Sequence, residues 1–191
     1  MDLSSDPDAA LMVAIAAGDQ RAFADLVRRH GGRLRAVCLR FLGNAADAEE
    51  IVQETFWTIW RTAERYEPRG ARVSTYLHRI ALNRCIDRDR RRRIRRLVGL
   101  EEAAEIEDPT VDQETDLAVR TRLAAVRLDI AALPARQRAA LLLAVESEKP
   151  TAEIATVLGV SVGAAEQLLV RARRTLREKL ARREPDPEGT P

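Results

Sequence analysis

Apolar residues recur along this chain at spacings of three and four, and no alternating run persists, so the sequence reads as helical throughout. Asp6-Pro7 opens a short first helix. A second runs from about Asp19 to Phe41, with Phe23, Leu26, Val27, Leu34, Val37, Cys38 and Phe41 on one stripe and Gly31-Gly32 marking a bend. A third starts at Asn44, with Asp47 three residues on in capping-box fashion, and continues to about Arg65. Its core stripe is Ala48, Ile51, Val52, Phe56, Ile59 and Ala63. The opposite stripe, Asp47, Glu50, Glu54, Trp57 and Arg61, sets a large aromatic among charges. An exposed Trp ringed by carboxylates is suited to anchor a basic protein surface; the alternative is that Trp57 wraps into the core beside Trp60.

Tyr66-Glu67-Pro68-Arg69-Gly70 interrupts the helical pattern, and a fourth helix follows from about Val73 to Leu97. Its apolar positions Val73, Leu77, Ile80, Ala81 and Cys85 run out at Ile86, so its last three turns should project as a cationic rod. Tyr76, Arg79, Asn83 and Arg90 share one face, a ring, two guanidiniums and an amide. That set fits unpaired bases and backbone, where stacking contributes about 1 to 3 kcal/mol per base; a solvated helix end is the alternative for the arginines alone. A second module begins near Thr115. After Asp129 to Leu133 comes Pro134, then helices at Ala135 to Glu148, Ala152 to Leu158 and Ser161 to about Arg182. TAEIATVLGVSVGAAEQLL fits a helix-turn-helix: Ile154 and Leu158 face a core, Ala155 permits close crossing, Gly159 turns, Ser161 caps and Leu168 packs back. The basic run Arg171, Arg173, Arg174 and Arg177 behind it strengthens a DNA-binding reading.

Charge sharpens this division. Seven arginines fall in the nine residues from Arg88 to Arg96, eight carboxylates follow between Glu101 and Asp116, and no Lys or Arg lies between Arg96 and Arg120. Net charge is only +2 over 191 residues, so nucleic-acid contact must come from local clusters rather than general coating. Of 32 basic residues only Lys149 and Lys179 are lysines, which favours forked contacts to phosphate and guanine, although a GC-rich genome gives the same bias. All seven aromatics lie between Phe23 and Tyr76. The expected fold is all-α: two small helical domains joined by an acidic flexible linker, the C-terminal one a helix-turn-helix. Boundaries fall at 1–97, 98–114 and 115–183, with a disordered tail at 184–191. Fully extended, the linker would reach about 70 Å. Cys38 and Cys85 lack metal-ligand spacing and read as buried thiols. Without a signal-like stretch or an 18-residue apolar run, the chain is expected to be soluble and cytoplasmic. No nucleophile with a base, P-loop or metal motif is present, so neither catalysis, cofactor nor metal is expected.

Three ordered segments resemble the sigma-70 family, specifically the extracytoplasmic function (ECF) group of bacterial RNA polymerase sigma factors. DAEEIVQETFWTIWR (Asp47 to Arg61) is similar to the segment that docks on the clamp helices of the polymerase β′ subunit. STYLHRIALNRCIDRDRR (Ser74 to Arg91) is similar to the melting and −10 segment, and Leu133 to Leu180 to the −35 domain. The resemblance spans about residues 10 to 182. It implies that Asp47, Glu50, Gln53, Glu54 and Trp57 grip core polymerase, and that the loop from Tyr66 to Ser74, with Arg69, captures a flipped −10 base. Tyr76, Arg79, Asn83, Arg84, Arg88 and Arg91 would hold and melt that element. Tyr76 stands where the family usually has Trp and His78 where it often has Tyr, implying weaker stacking. Base-facing residues for the −35 element would lie among Ser161, Gly163, Ala164, Gln167 and Arg171, with Arg173 and Arg174 on phosphates. Ala165-Glu166-Gln167-Leu168-Leu169 departs from the commoner Val-Lys-Ser-Arg-Leu pattern, which shifts the burden to shape and phosphate contacts.

The resemblance implies a dissociable initiation factor with core polymerase (β′ clamp helices and β flap), promoter DNA and an anti-sigma factor as partners, and no membrane contact except through a membrane-bound anti-sigma factor. Two alternatives stay open from sequence. One is a stand-alone helix-turn-helix regulator, which would bind duplex operator without polymerase. The other is a sigma mimic that sequesters an anti-sigma factor, which would lack the cationic −10 helix.

Overall fold

In a computed structural model, which describes residues 6–66, 72–98 and 117–183, every regular element is helical. The order is α1 (Ala9–Ala16), α2 (Gln20–Leu42), α3 (Ala45–Thr62), a 3-10 turn at Ala63–Arg65, α4 (Val73–Leu97), α5 (Leu117–Ala131), α6 (Ala135–Glu146), α7 (Thr151–Leu158) and α8 (Val162–Ala181). Local chemistry sets the ends. Asp19 accepts from the N–H groups of Arg21 (2.8 Å) and Ala22 (3.2 Å), satisfying two donors that α2 itself leaves open. Gly43 then closes α2 at φ +67°, a left-handed conformation that glycine adopts without penalty. Asn44 caps α3 by accepting from the Asp47 N–H at 2.9 Å. Asp6 reaches across from the N-terminus to accept from the Val73 N–H at 2.7 Å, which fixes the start of α4. The bend expected at Gly31-Gly32 does not occur; α2 runs through it unbroken.

Helices α1 to α4 form one cluster and α5 to α8 another. Leu26, Val37, Cys38, Phe41, Ile51, Ile59, Leu77 and Cys85 are buried in the first, and Leu143, Ile154, Val157 and Ala165 in the second. Burying each large side chain contributes about 1.5 to 3 kcal/mol. The clusters are not held apart. α6 packs on α2 and α4, α7 packs on α4, and one continuous apolar core runs from Met12 to Leu169. A buried arginine bolts the joint. Arg138 Nη1 donates to the Phe41 carbonyl at 2.7 Å and reaches Asp89 at 3.4 Å, Nη2 donates to the Ala131 and Leu133 carbonyls at 2.6 and 3.3 Å, and the guanidinium lies 4.7 Å from the Phe41 ring centre. Burial lowers its pKa, and Asp89 opposes that shift. The flexible character of the 98–114 linker and of the 184–191 tail was read on residues that, Val98 apart, lie outside the described ones, as does Arg69. Among the described residues no single helix is long and apolar enough to cross a membrane.

Candidate nucleic-acid and protein interfaces

Period and packing split the two tryptophans of α3. Trp60 turns inward, its ring 5.2 Å from Phe23 at 68°, whereas Trp57 is 60% exposed. Around Trp57 the stripe of Asp47, Glu50, Gln53 and Glu54 follows the same side of the helix, with Gln53 and Glu50 exposed and Asp47 partly buried. An open indole beside carboxylates is suited to a basic, partly apolar protein surface.

The carboxylates of this stripe also hold a seam with α4. Arg84 donates to Glu54 at 3.0 Å and to Thr58 Oγ1 at 2.7 Å. One turn on, a single Arg88 nitrogen donates to Asp47 at 2.7 Å and to Glu50 at 2.8 Å. Arg92, a further turn along, pairs with the other oxygen of Asp47. The hydrogen bond from Arg88, and then its charge, hold the Glu50 carboxyl below its usual range. The seam encloses a polar cleft of about 170 Å³ lined by Ile51, Glu54, Arg84, Asp87, Arg88 and Arg91. The cationic rod is thus only partly free: Arg88 and Arg92 lie against α3, and Arg93 pairs with Asp89 at 3.0 Å. Arg79, Asn83, Arg90 and Arg91 remain exposed on α4, Arg90 bound to Asp87 at 2.9 Å.

Tyr76 is half-buried rather than displayed. Its ring lies 5.6 Å from Tyr66 at 43°, so this pair ties the residue after the 3-10 turn to the first turn of α4. Burial, then the charge of Asp6, raises the Tyr66 pKa. Ser74 sits half-buried in the first turn of α4. His78 points away from this face, into the joint between the clusters. Its Nδ1–H donates to the Ser74 carbonyl at 2.6 Å, which leaves Nε2 to accept from Ser147 Oγ at 2.9 Å. Burial, with Lys149, His30 and Arg33 nearby, pulls its pKa down to about 4 against the Ser74 hydrogen bond. Beside it buried Lys149 donates to Glu153 at 2.8 Å and Thr75 at 3.3 Å, binding α7 to α4.

In the second cluster Gly159 at φ +63° reverses the chain, and α7 and α8 meet at 100°, the geometry of a helix-turn-helix. Ser161 caps α8 by accepting from the Ala164 N–H at 3.2 Å. Ala165, Leu169 and Ala172 pack inward, which leaves Ser161, Gly163, Ala164, Gln167, Arg171, Arg173 and Arg174 exposed on the outer side. Arg174 spans 3.7 Å to Glu178; Arg171 and Arg173 have no ion pair among the described residues. Sequence reasoning missed Arg92, Asp89, Arg138 and the His78 to Ser147 contact. Arg92 alone carried a signal, standing four residues after Arg88 and eight after Arg84; the contacts of Arg138 with Phe41 and Asp89, and of His78 with Ser147, join residues more than 40 positions apart.

Known proteins match both clusters. Residues 26–95 match Sigma-70 region 2 and residues 119–176 match Sigma-70, region 4. The ECF RNA polymerase sigma factor SigM of Mycobacterium tuberculosis (strain ATCC 25618 / H37Rv) is 34% identical over 88% of this chain and 82% of its own length. RNA polymerase sigma factor CnrH of Cupriavidus metallidurans is 33% identical over 90% of this chain and 93% of its own. A solved structure of CnrH in complex with the cytosolic domain of CnrY is similar with a TM-score of 0.69 at 29% identity, covering 93% of this chain and 99% of that one. Sigma factor RpoE, solved with the anti-sigma factor NepR from Bartonella quintana, shares the fold at a TM-score of 0.64 and 24% identity, over 83% of this chain and 96% of its own.

Proposed function

The chain belongs to the sigma-70 family as an ECF RNA polymerase sigma factor, and on that premise we propose how its faces divide the work of promoter-specific initiation. Asp47, Glu50, Gln53, Glu54 and Trp57 of α3 dock on the β′ clamp helices of core polymerase. The stretch from Tyr66 to Ser74, together with Tyr76, Arg79, Asn83, Arg84, Arg88 and Arg91, captures and holds the opened −10 strand. The outer side of α8, from Ser161 to Arg174, lies along the −35 element, and the C-terminal cluster also meets the β flap. The factor has no reaction of its own. Binding free energy from captured bases offsets the cost of opening the duplex.

The observation that carries this reading is the exposure of Trp57 amid the α3 carboxylates, on the helix that also braces the arginines of α4. A stand-alone regulator has no need of that face. By likeness to CnrH, solved with the cytosolic domain of CnrY, and to RpoE, solved with the anti-sigma factor NepR, the chain takes an anti-sigma partner and acts in the cytoplasm. The docking assignment is tested with Trp57→Ala combined with Glu54→Ala. Affinity for core polymerase should fall by at least about tenfold, in line with an interface hot spot, while the helical circular dichroism signal is kept. Undiminished affinity in a pull-down would remove α3 from the docking role.

A further inference from the structure

The first turns of α8 carry a pattern that phosphate contact alone does not explain. At about 100° per residue, Gly163, Gln167, Val170 and Arg174 fall on one strip, opposite the buried Ala165, Leu169 and Ala172. Gln167 is exposed on that strip, and Val170 beside it is 56% exposed, an apolar side chain with no core to fill. Gly163 has open space where a Cβ would stand and Ala164 is small, so the N-terminal turn is free of bulk. Arg174 ends the strip, 3.7 Å from Glu178. Arg171 lies on one flank and Arg173 on the other, both exposed. A helix about 10 to 12 Å across, with a guanidinium on each flank and uncharged side chains between them, matches a major groove about 12 Å wide with phosphates on both walls.

We propose that Gln167 and Val170 set the base preference of the −35 contact. Gln167 reads an adenine, its amide N–H donating to N7 and its amide oxygen accepting from N6, and Val170 packs on the C5-methyl of a thymine in the neighbouring pair. The two residues stand about 4.5 Å apart along the helix axis, close to the step of about 3.4 Å between base pairs. Resting on the placement of α8 along the −35 element, this reading names two adjacent A·T pairs as the preferred site. A Ser, the commoner residue at the Gln167 position in the pattern compared above, has no such fork. Glu166 shares the flank of Arg173 and is exposed; beside a phosphate wall it lowers affinity without selecting a base.

The test uses core polymerase with the full chain and a promoter duplex from upstream of its own gene, the −35 segment randomised, and sequences the duplexes retained. Wild type should retain A·T pairs at two adjacent positions. Gln167→Ala should erase the adenine preference at one of them, a change of about 5- to 150-fold, and leave the other positions as they were. Val170→Ala should lower the thymine preference at the neighbour by about fourfold, the worth of one methyl group. Uracil in place of that thymine, which lacks the methyl, should cost wild type the same and Val170→Ala nothing. Glu166→Gln should raise retention of every sequence alike. A base other than adenine at the position that depends on Gln167, no such position at all, or a changed base preference in Glu166→Gln overturns the assignment, and the absence of a uracil effect removes Val170 from it. Arg171→Ala with Arg173→Ala separates the two levels. If that pair weakens retention of all sequences while Gln167→Ala shifts none, α8 lies on the DNA and base reading by Gln167 falls. If neither changes retention, or wild type retains nothing, the −35 placement itself fails and takes the base reading with it. All these positions are exposed, and the helical circular dichroism signal checks that each variant folds.

Discussion

Trp57 and Trp60 lie three residues apart on α3, and the environment of each is decided by its neighbours across the helix. Phe23 meets Trp60 edge-on and meets Phe56 edge-on as well, while Trp57 has carboxylates on its side and keeps most of its surface open. Tyr76 is a different case, since it leans on Tyr66 and is only half-exposed. Tyr76→Ala should spare polymerase binding yet reduce open-complex formation on a duplex promoter by about 5- to 150-fold, the worth of one base stack. The loss should be smaller on a pre-melted template, and equal activity on both templates would take Tyr76 out of melting. His78 gives a pH signature. Its pKa falls from an ordinary 6.5 to about 4 on folding, so the neutral ring stabilises the fold fully above 6.5 and that contribution, on the order of 3 kcal/mol, is lost as pH falls toward 4. Burial opposes ionisation of the neighbouring Glu153, but Lys149 and Thr75 hold its carboxyl below the usual range. Urea midpoints of the wild type should therefore drop more steeply between pH 6.5 and 4 than those of His78→Gln; parallel curves would contradict the buried neutral histidine.

At the scale of elements, much was legible because it is local. The caps at Asp19, Asn44 and Ser161, the turn at Gly159 and the apolar stripes of α2 and α3 all act within one or two turns of chain. The pairing of α4 with α3 was not, because the arginine run reads as solvated until the carboxylates of another helix are placed opposite it. Helix α5 also escaped notice. Its polar and apolar residues are evenly mixed, and Val119, Leu123 and Leu128 stay exposed. Arg138 looked like any helix arginine, yet only 3% of it is exposed and it binds three carbonyls and Asp89. Arg138→Ala should cost about 3 to 5 kcal/mol by leaving those buried carbonyls unpaired and Asp89 with Arg93 as its remaining partner. Arg136→Ala, exposed on the same helix, should stay within about 0.5 kcal/mol. Equal denaturation midpoints for the two variants would show that the joint does not depend on Arg138.

For the whole molecule, composition and charge placed two cationic modules around an acidic stretch, and the two family regions fall on those modules. Their union through one core was beyond the sequence, since it rests on contacts such as Arg138 with Phe41, Ser147 with His78 and Arg40 with Glu146 at 2.5 Å, all distant in chain order. The same arrangement leaves the outer side of α8 and the Trp57 face open together, as a factor that meets polymerase and DNA at once requires. The most direct test is multi-round transcription by bacterial core polymerase, with and without this protein, on DNA taken from upstream of its own gene. The account predicts a discrete transcript that appears only when the protein is added and is lost with Trp57→Ala and Glu54→Ala. No transcript, together with tight binding of the free chain to the same duplex, would contradict it and favour a regulator that works without polymerase.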